Sequence, residues 1–229
     1  MGRTFSEKHG VMEMKATSIE YALSSKVDYV PNDQSGLSTW QKLLGEIRRA
    51  DRVRVDWNGQ SMEGLFQLGM AFALRKPIVI DSLPTFDNQT KSFPRMITAW
   101  ADQPDFESSC DQSQGKNIFL ICPVRNQDEA TRLLLEEISQ DPSMYYPARE
   151  TNQIDETGGL RICADNRSAM ESAQAVWFVW DGLSQGSIFD LGMAFALGKP
   201  IRPVQVPPPT QEPSFQNFAT EYSNYDRPV

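Results

Sequence analysis

"WDGLSQGSIFDLGMAFALGKP" at residues 180–200 has a near copy at residues 57–77, which reads "WNGQSMEGLFQLGMAFALRKP". At a constant offset of 123 residues and without gaps, 14 of the 22 positions from Trp57 to Ile78 are identical in the second copy. Unrelated segments of average composition match at about one or two such positions. We therefore interpret the chain as an internal duplication, with one unit in each half.

Both copies place the repeated motif in the same order of secondary-structure patterns. In the second copy a helical pattern, an apolar strand, a polar turn, an apolar helix and a short strand read "ICADNRSAMESA", "AVWFVW", "DGLSQG", "SIFDLGMAFAL" and "PIRPVQV". The continuous apolar run "AVWFVW" is typical of a parallel strand that is covered on both faces. The order matches the second half of a series of strand-helix-strand units, which predicts an α/β fold. The repeated parts cover at least residues 33–80 and 156–203.

The two units are not equally complete. The second unit opens with the apolar strand pattern "NIFLICPVR" and the amphipathic helix pattern "NQDEATRLLLEEIS", whereas no comparable apolar strand opens the first unit. The first unit therefore looks like a truncated copy. Within the second unit, residues 145–159 read as a long polar loop. We predict four segments: a degenerate N-terminal unit at 1–92, a linker at 93–115 with a short helix at "FPRMITAWA", a complete C-terminal unit at 116–206, and an extended C-terminal arm at 207–229.

Composition and charge narrow the classes of function. The chain has 40% hydrophobic and 23% charged residues, as is ordinary for a globular protein. A net charge of −8 argues against a nucleic-acid polymer as partner, because binding a phosphate backbone needs clustered Lys and Arg. No stretch approaches the roughly 20 apolar residues that span a bilayer, and the first ten residues lack the apolar core of a signal peptide. We expect a cytoplasmic protein with a small-molecule ligand and no membrane partner.

Histidine and cysteine usage excludes several kinds of catalysis. His9 is the only histidine, so Ser-His-Asp, Cys-His and His-metal chemistry lack their central group. Cys110, Cys122 and Cys163 are widely spaced, without the paired spacing of a zinc or iron–sulfur site. We expect no metal and no cofactor, and chemistry that rests on carboxylates, hydroxyls, amides and the backbone.

Two segments of the second unit, "NIFLICPVR" and "VWFVWDGLSQGSIFDLGMAFALGKPI", resemble the nucleoside 2-deoxyribosyltransferase family and its N-glycosidase relatives. The usual pattern of that family is a strand ending in Gly-Pro or similar, a later Asp-Gly turn, and a helix reading Glu-Leu-Gly-x-Ala-x-Ala before Gly-Lys-Pro. The resemblance covers residues 116–204 well and 33–80 in part. Its most specific piece is the helix together with Gly-Lys-Pro.

The resemblance implies a flavodoxin-like, doubly wound parallel sheet and cleavage of the bond between a base and C1′ of a sugar. It also implies that no metal takes part, and that members assemble as dimers or larger oligomers with sites near subunit contacts. The helix Glu is the nucleophile in that family. The matching positions here are Asp190 in the second unit and Gln67 in the first. Asp190 is therefore the predicted catalytic residue.

The pattern around Asp190 supports that role on physical grounds. It predicts a carboxylate in the first turn of a helix at the carboxyl end of a parallel strand, where open α/β sheets place their ligand crevices. Such a carboxylate can attack an anomeric carbon or stabilise an oxocarbenium-like transition state. Gln67 can do neither, so we expect the first unit to be catalytically silent. Because Asp is one methylene shorter than Glu, Asp190 favours water-mediated hydrolysis over a covalent sugar intermediate. The alternative to any catalytic role is that Asp190 only complements the helix dipole.

The predicted substrate-binding residues lie around the same strand ends. The turn after "VWFVW" could hold a sugar or phosphate through its amides and hydroxyls, or be a plain strand-to-helix turn. Arg125 stands where a strand-end side chain could meet a phosphate, or is a solvated surface residue. Phe119 occupies the place where many members of the family carry a Tyr that orients the nucleophile. The full predicted set is Phe119, Pro123, Arg125, Asp181, Gly182, Ser184, Gly186, Ser187 and Met193.

The duplication suggests a reason for two unequal copies. Two units in one chain can pack as a pseudo-dimer that replaces the homodimer contact of simpler relatives, with the first unit as scaffold. The sequence leaves two functions open: cleavage of the N-glycosidic bond of a nucleoside, nucleotide or dinucleotide by hydrolysis or transfer, and a non-catalytic nucleotide-binding or sensing module. It also leaves open whether the chain forms a homo-oligomer.

Overall fold

Two parallel β-sheets flanked by helices make up the chain, in a computed structural model that describes residues 18–108, 115–125 and 127–224. Across the first sheet lie β1 (Glu20–Ala22), β2 (Arg52–Asp56) and β3 (Ile78–Ser82). Across the second lie β5 (Met144–Tyr145), β4 (Ile118–Ile121), β6 (Ala175–Val179) and β7 (Ile201–Gln205). The helices are α1 (Leu37–Arg49), α2 (Met62–Ala73), α3 (Phe93–Asp102), α4 (Glu129–Ile138), α5 (Pro147–Glu150), α6 (Leu160–Ser172), α7 (Gln185–Ala196) and α8 (Phe215–Asn224).

The strand order of the second sheet places a crevice between β4 and β6. From β4 the chain goes to β5 on one side and then crosses to β6 and β7 on the other, so the direction of winding reverses between β4 and β6. Numbered within the sheet, this order is 2-1-3-4, which is compatible with a flavodoxin-like fold. Open α/β sheets bind ligands outside the carboxyl ends of their strands at such a reversal. The predicted α/β class is confirmed.

Helices cover both faces of the second sheet. Along β4, Phe119 and Ile121 face the main core with residues of α6 and α7, whereas Leu120 belongs to a smaller core with Leu135 of α4. This double coverage explains why β4 and β6 read as continuous apolar runs in the sequence.

The first sheet is smaller and leaves one face open to solvent. Within β2, Val53 and Val55 are buried in the main core, while Arg54 points outward and pairs with Asp81 at 2.8 Å. The alternating sequence "RVRVD" fits a strand with one solvated face. Among the described residues the first unit has no counterpart of α4 and β5, because the chain runs from β1 directly to α1.

A strand opens the first unit, which the sequence pattern did not predict. Within β1, Tyr21 pairs with Val53, and within β4, Phe119 pairs with Val176. Because Val53 and Val176 correspond under the 123-residue offset, β1 occupies the place of β4. With only three residues, β1 is too short to show as a periodic pattern.

Helices α2 and α7 bring the two units together through backbone contact. A Cβ added at Gly69 would overlap the carbonyl oxygen of Phe189, and one added at Gly192 would overlap the carbonyl oxygen of Phe66. The two contacts are reciprocal, since each residue lies 123 positions from its counterpart. Both helices are buried along most of their length, which explains why "LGMAFAL" is apolar on all sides.

The Lys-Pro that ends both copies of the motif also has a structural role. Nζ of Lys76 donates to two main-chain carbonyl oxygens at the C-terminal end of α1, at 2.9 and 2.7 Å. Nζ of Lys199 donates to the matching carbonyls of α6, at 2.7 and 2.8 Å. Each lysine satisfies carbonyls that a helix end leaves without intrahelical partners.

Segments outside the repeat agree only in part with the sequence prediction. The short helix predicted at "FPRMITAWA" in the linker is present as α3, whose Met96 and Trp100 are buried in the main core. The extended arm was a wrong prediction for Phe215–Asn224, which form α8, because aromatic residues at helical spacing pack on Phe66 and Phe195. The predicted polar loop at 145–159 includes the end of β5 and the short helix α5.

The close approach of α2 and α7 predicts a difference between glycines. Gly69→Ala or Gly192→Ala should destabilise the protein by about 1–3 kcal/mol or more, because the new methyl group forces the helix backbones apart. Gly45→Ala is the matched control: it lies inside α1, where the added Cβ meets only the side chain of Arg49 at 3.6 Å. That variant should gain about 0.5–1 kcal/mol. Urea denaturation measures both effects, and equal stability of all three variants would contradict the contact.

Candidate active site

A cavity of about 880 Å³ opens at the carboxyl ends of β4 and β6. Its walls come from both units. One wall consists of residues that precede α2 and residues around α3, and the other consists of residues that follow the strands of the second sheet. The volume lies in the range of pockets that hold nucleotide-sized ligands. The lining residues that matter below are Trp57, Lys91, Ser92, Phe93, Cys122, Arg125, Gln153, Cys163, Asn166, Asp181, Ser184, Gly186, Phe189 and Asp190.

Asp190 lines this cavity from α7, but one turn later than the sequence predicted. The helix begins at Gln185 because the side chain of Ser184 caps it, accepting from the backbone N–H of Ser187 at 3.4 Å. Asp190 therefore lies in the second turn, and the prediction that it lies in the first was wrong. The field of the helix terminus falls off within the first turn, so complementing the dipole is a poor explanation for this carboxylate.

Burial dominates the electrostatics of Asp190. Desolvation raises the pKa of its carboxyl group to about 7, while a hydrogen bond from Asn166 lowers the pKa and only partly offsets that effect. Among the described residues no Lys or Arg side chain lies within ion-pair distance of the Asp190 carboxyl group. Asp190 is only partly buried by area, and it is accessible from the cavity. The pKa values of Cys122 and Cys163 are raised by burial and by the charge of Asp190, so both stay thiols. Near neutral pH the carboxyl group is divided between its acid and its anion.

A chain of buried side chains orients the amide that contacts Asp190. Nδ2 of Asn166 donates to Oδ2 of Asp190 at 3.3 Å, and Oδ1 of Asn166 accepts from Oγ1 of Thr151 at 3.3 Å. The hydroxyls of Thr151 and Tyr145 lie 2.7 Å apart. Because the Asn166 oxygen is occupied by Thr151, its NH2 group faces the carboxylate. The Tyr145 ring stacks on Phe119 with 5.5 Å between centroids, so Phe119 holds the Tyr145 end of this hydrogen-bonded series in place.

At the corresponding position in the first unit, protein groups of the described residues surround Gln67 and leave no cavity beside it. Oε1 of Gln67 accepts from the Tyr21 hydroxyl at 2.6 Å and from the backbone N–H of Ser24 at 3.3 Å. Nε2 of Gln67 donates to the carbonyl oxygens of Ser24 at 2.8 Å and of Glu63 at 3.1 Å. The amide is fully satisfied, and Gln67 does not line the cavity. This position offers no charge and no free group.

The turn before α7 is built largely by its own side chains. Oδ1 of Asp181 accepts from the backbone N–H groups of Leu183 at 2.8 Å and Ser184 at 2.7 Å. In the first unit, Asn58 makes the equivalent bonds at 2.9 Å each, which favours a structural role for this oxygen. Asp181, Ser184 and Gly186 nevertheless line the cavity.

The remaining predicted residues divide between the mouth of the cavity and the protein interior. Arg125 lies exposed at the mouth and lines it. Gly182 turns the chain with φ of 82° but is not part of the lining. Four others are buried behind the wall: Phe119, Pro123, Ser187 and Met193. The structure thus brings Asp190, Arg125, Asp181, Ser184 and Gly186 together and leaves these five outside the lining.

Sequence reasoning missed the wall that the first unit and the connection supply. Trp57 and Phe93 present aromatic side chains, and Lys91 and Ser92 present polar ones. Trp57 lies inside the repeated motif and could have been found from its identity with Trp180. Lys91, Ser92 and Phe93 belong to a segment without a counterpart in the second unit, so no pattern marked them. Asn166 gave no signal within an ordinary helical pattern.

Other kinds of site are not seen in the described part of the chain. Within residues 18–108, 115–125 and 127–224, no group of three or more His, Cys, Asp or Glu side chains is placed to hold a metal ion. None of the helices in those ranges is both long and apolar enough to cross a bilayer. His9 and Cys110 lie outside the described residues.

No protein-family model, no curated protein and no solved structure matches this chain. The features that indicate a function are therefore the cavity, the groups that line it and the sequence pattern.

The raised pKa of Asp190 predicts a pH-dependent effect on stability. Because its folded-state pKa exceeds the ordinary value of 3.8, wild-type protein should lose stability as the pH rises from about 4 through 7. Asp190→Asn removes this loss, so its melting temperature relative to wild type should increase between pH 5 and pH 8. Asp81→Asn is the control, since Arg54 lowers the pKa of that exposed carboxyl and its removal brings no gain at pH 8. A pH-independent difference for Asp190→Asn would contradict the raised pKa.

Proposed function

We propose that the protein cleaves the N-glycosidic bond of a nucleoside or nucleotide, by hydrolysis or by transfer of the sugar to another base, with Asp190 as the reacting carboxylate. The observation that carries this proposal is a desolvated carboxyl group, with a pKa near 7, at the cavity that lies where the second sheet reverses its winding. The resemblance of residues 116–204 to the nucleoside 2-deoxyribosyltransferase family supports the same reaction.

The chemistry requires the carboxylate and either water or an acceptor base. In transfer, an oxygen of Asp190 bonds to C1′ as the C1′–N bond breaks, and the base leaves with the electron pair and takes up a proton from water. A nitrogen of the acceptor base then bonds to C1′ as the bond to Asp190 breaks, and the acceptor base returns a proton to water. In hydrolysis, water adds its hydroxyl to C1′ and supplies that proton, while Asp190 stabilises the positive charge that develops on the sugar. An Asp reaches less far than a Glu, which favours the second route. Asn166 holds the carboxylate in position for either.

The walls of the cavity suit a sugar-linked base. Phe93 of α3 lines the cavity with a partly exposed ring, which packs against the buried rings of Trp57 from the first unit and Phe189 from α7. Aromatic side chains stack on the flat faces of bases. Phe93 and Asp190 line the same cavity, so a base held against the Phe93 ring would place its sugar toward the carboxylate.

We also propose that the fold is a flavodoxin-like duplication packed as a pseudo-dimer. The elements α1, β2, α2 and β3 begin and end 123 residues before α6, β6, α7 and β7, which supports a common origin. The reciprocal contacts of Gly69 and Gly192 support a packing with approximate two-fold symmetry. In this arrangement the first unit acts as a scaffold that supplies part of the cavity wall.

Base release from a panel of substrates tests the proposed activity. Purified protein is incubated with ribo- and deoxyribonucleosides, their 5′-monophosphates and NAD, and free base is measured by chromatography. We expect at least one substrate to release base, and Asp190→Asn to lower the rate by roughly 100-fold or more while ligand still binds. Asp81→Asn, on the open face of the first sheet, should retain the wild-type rate.

The same panel distinguishes the proposed reaction from its alternative. If wild-type protein releases no base from any compound but is thermally stabilised by one of them, the cavity only captures ligand and the binding-module function replaces the enzyme. Base release that survives Asp190→Asn would show that another group reacts.

Asn166 should act as a positioning residue with its own pH signature. The rate should rise with pH through about 7 as Asp190 ionises. Asn166→Ala removes the hydrogen bond that lowers this pKa, so the midpoint of the pH–rate profile should move to higher pH. Asn224→Ala, near the end of α8, should leave the midpoint unchanged. An unshifted profile for Asn166→Ala would show that its amide does not tune the carboxyl group.

A further inference from the structure

We infer that one corner of the cavity, formed by Lys91, Ser92 and Arg125, binds the phosphate of a nucleotide, so that nucleoside monophosphates are preferred over nucleosides. This inference rests on the proposed function, because it places the phosphate of the same substrate whose sugar meets Asp190. Two of the three residues come from the connection between the units, and the sequence pattern singled out only Arg125. The three residues are called the anion corner below.

The anion corner holds two cations, neither of which forms a direct ion pair with a carboxylate of the described residues. Within the described residues neither Lys91 nor Arg125 lies within ion-pair distance of a carboxylate, and Nζ of Lys91 donates to the neutral Oε1 of Gln153 at 3.0 Å. The pKa of Lys91 is lowered by partial burial first and by the charge of Arg125 second. Two like charges close together at a cavity mouth repel each other, and an anion between them removes that repulsion.

The other charged groups near Lys91 are already engaged. The carboxylate of Asp155 accepts from the backbone N–H and hydroxyl of Thr157 at 2.8 and 2.6 Å and from the backbone N–H of Ile162 at 3.1 Å. Arg161 pairs with Asp165 at 2.6 Å. Asp155 keeps its negative charge and offsets part of that of Lys91, so one net positive charge remains among Lys91, Arg125 and Asp155.

Ser92 adds an independent sign that something polar binds here. Its Oγ is buried and has no hydrogen-bond partner within the described structure. Ser92 is the N-cap residue of α3, yet its side chain does not cap the helix. A buried hydroxyl without a partner costs free energy, and rotation of the Ser92 side chain toward the cavity would let a phosphate oxygen satisfy it. The positive end of the ten-residue helix α3 favours an anion at the same place.

The anion corner and Asp190 belong to one continuous site. Both line the same cavity, and both act on the thiol of Cys163, whose pKa Asp190 raises and Lys91 lowers. A ligand that places its sugar at Asp190 and its phosphate at Lys91 meets each charged group with the complementary part. A nucleoside has no phosphate, so it does not relieve the repulsion between Lys91 and Arg125.

Affinity measurements on a protein that cannot turn over test this inference separately from catalysis. Isothermal titration of the full chain carrying Asp190→Asn would compare each nucleoside with its 5′-monophosphate and with inorganic phosphate. We expect the monophosphate to bind about tenfold more tightly than the nucleoside, as for one charge-assisted contact. Adding Lys91→Gln or Arg125→Gln should abolish most of this preference and leave nucleoside affinity within about twofold. Ser92→Ala should reduce it by less.

The same titrations include a control variant, and they identify the results that would overturn the inference. Arg54→Gln, on the open face of the first sheet, should leave the preference unchanged, and circular dichroism verifies that each variant is folded. Equal affinity for nucleoside and monophosphate, or binding of neither, would overturn the anion corner. So would inorganic phosphate that binds without any gain for the monophosphate. Base release from nucleosides at the same efficiency as from monophosphates would also overturn it, while leaving the proposed reaction intact.

Discussion

The contact between the backbones of α2 and α7 is the constraint on which the rest of the structure depends. Gly69 and Gly192 allow each helix to lie directly against the carbonyl of a phenylalanine in the other, with no side chain between them. Asp190 directly follows Phe189, so the contact that joins the two units also positions its carboxylate relative to the cavity. The same packing carries Trp57 and α3 to the second sheet, where they close one side of the cavity. A single unit would have the crevice but not this wall.

The different residues at positions 67 and 190 follow from how the chain leaves the first strand of each unit. After β1 it runs directly toward α1, and Ser24 comes to lie on Gln67. After β4 it leaves through α4 and β5, and the corresponding place becomes the cavity that Asp190 lines. A neutral amide suits the closed place, because it can both donate and accept there. A carboxylate cannot donate and would leave the Ser24 carbonyl without that partner. The extra strand and helix of the second unit therefore leave a carboxyl group facing an open cavity.

The sequence predicted the repeated elements well because their patterns are long and periodic. Every element from α6 to β7 matches a predicted segment, and the alternation in "RVRVD" already contained the open face of the first sheet. Elements with a weak pattern were not predicted: β1 has too few residues for a pattern, and α8 is marked only by Phe215, Phe218 and Tyr222. Asp190 was predicted from the resemblance to a family whose matching helix residue is catalytic, but its helix starts earlier because of a serine cap. Lys91 and Ser92 could not be predicted, since only the fold brings the connection to the cavity.

Charge pairing separates the cavity from the rest of the surface. On the open face of the first sheet Arg54 pairs with Asp81, and where the units join Arg75 pairs with Glu171 at 2.6 Å, as residues with a structural role do. In the cavity, burial raises the pKa of Asp190 and lowers that of Lys91, so in both groups burial disfavours the charged form. Such perturbed groups cost stability and cluster at sites that act on a ligand. A negative group and two positive ones at separate places of one cavity define a ligand by its charge as well as its shape: an uncharged or cationic part toward Asp190 and an anionic part toward Lys91. A sugar that develops positive charge as its base departs, and that carries a phosphate, meets both conditions at once.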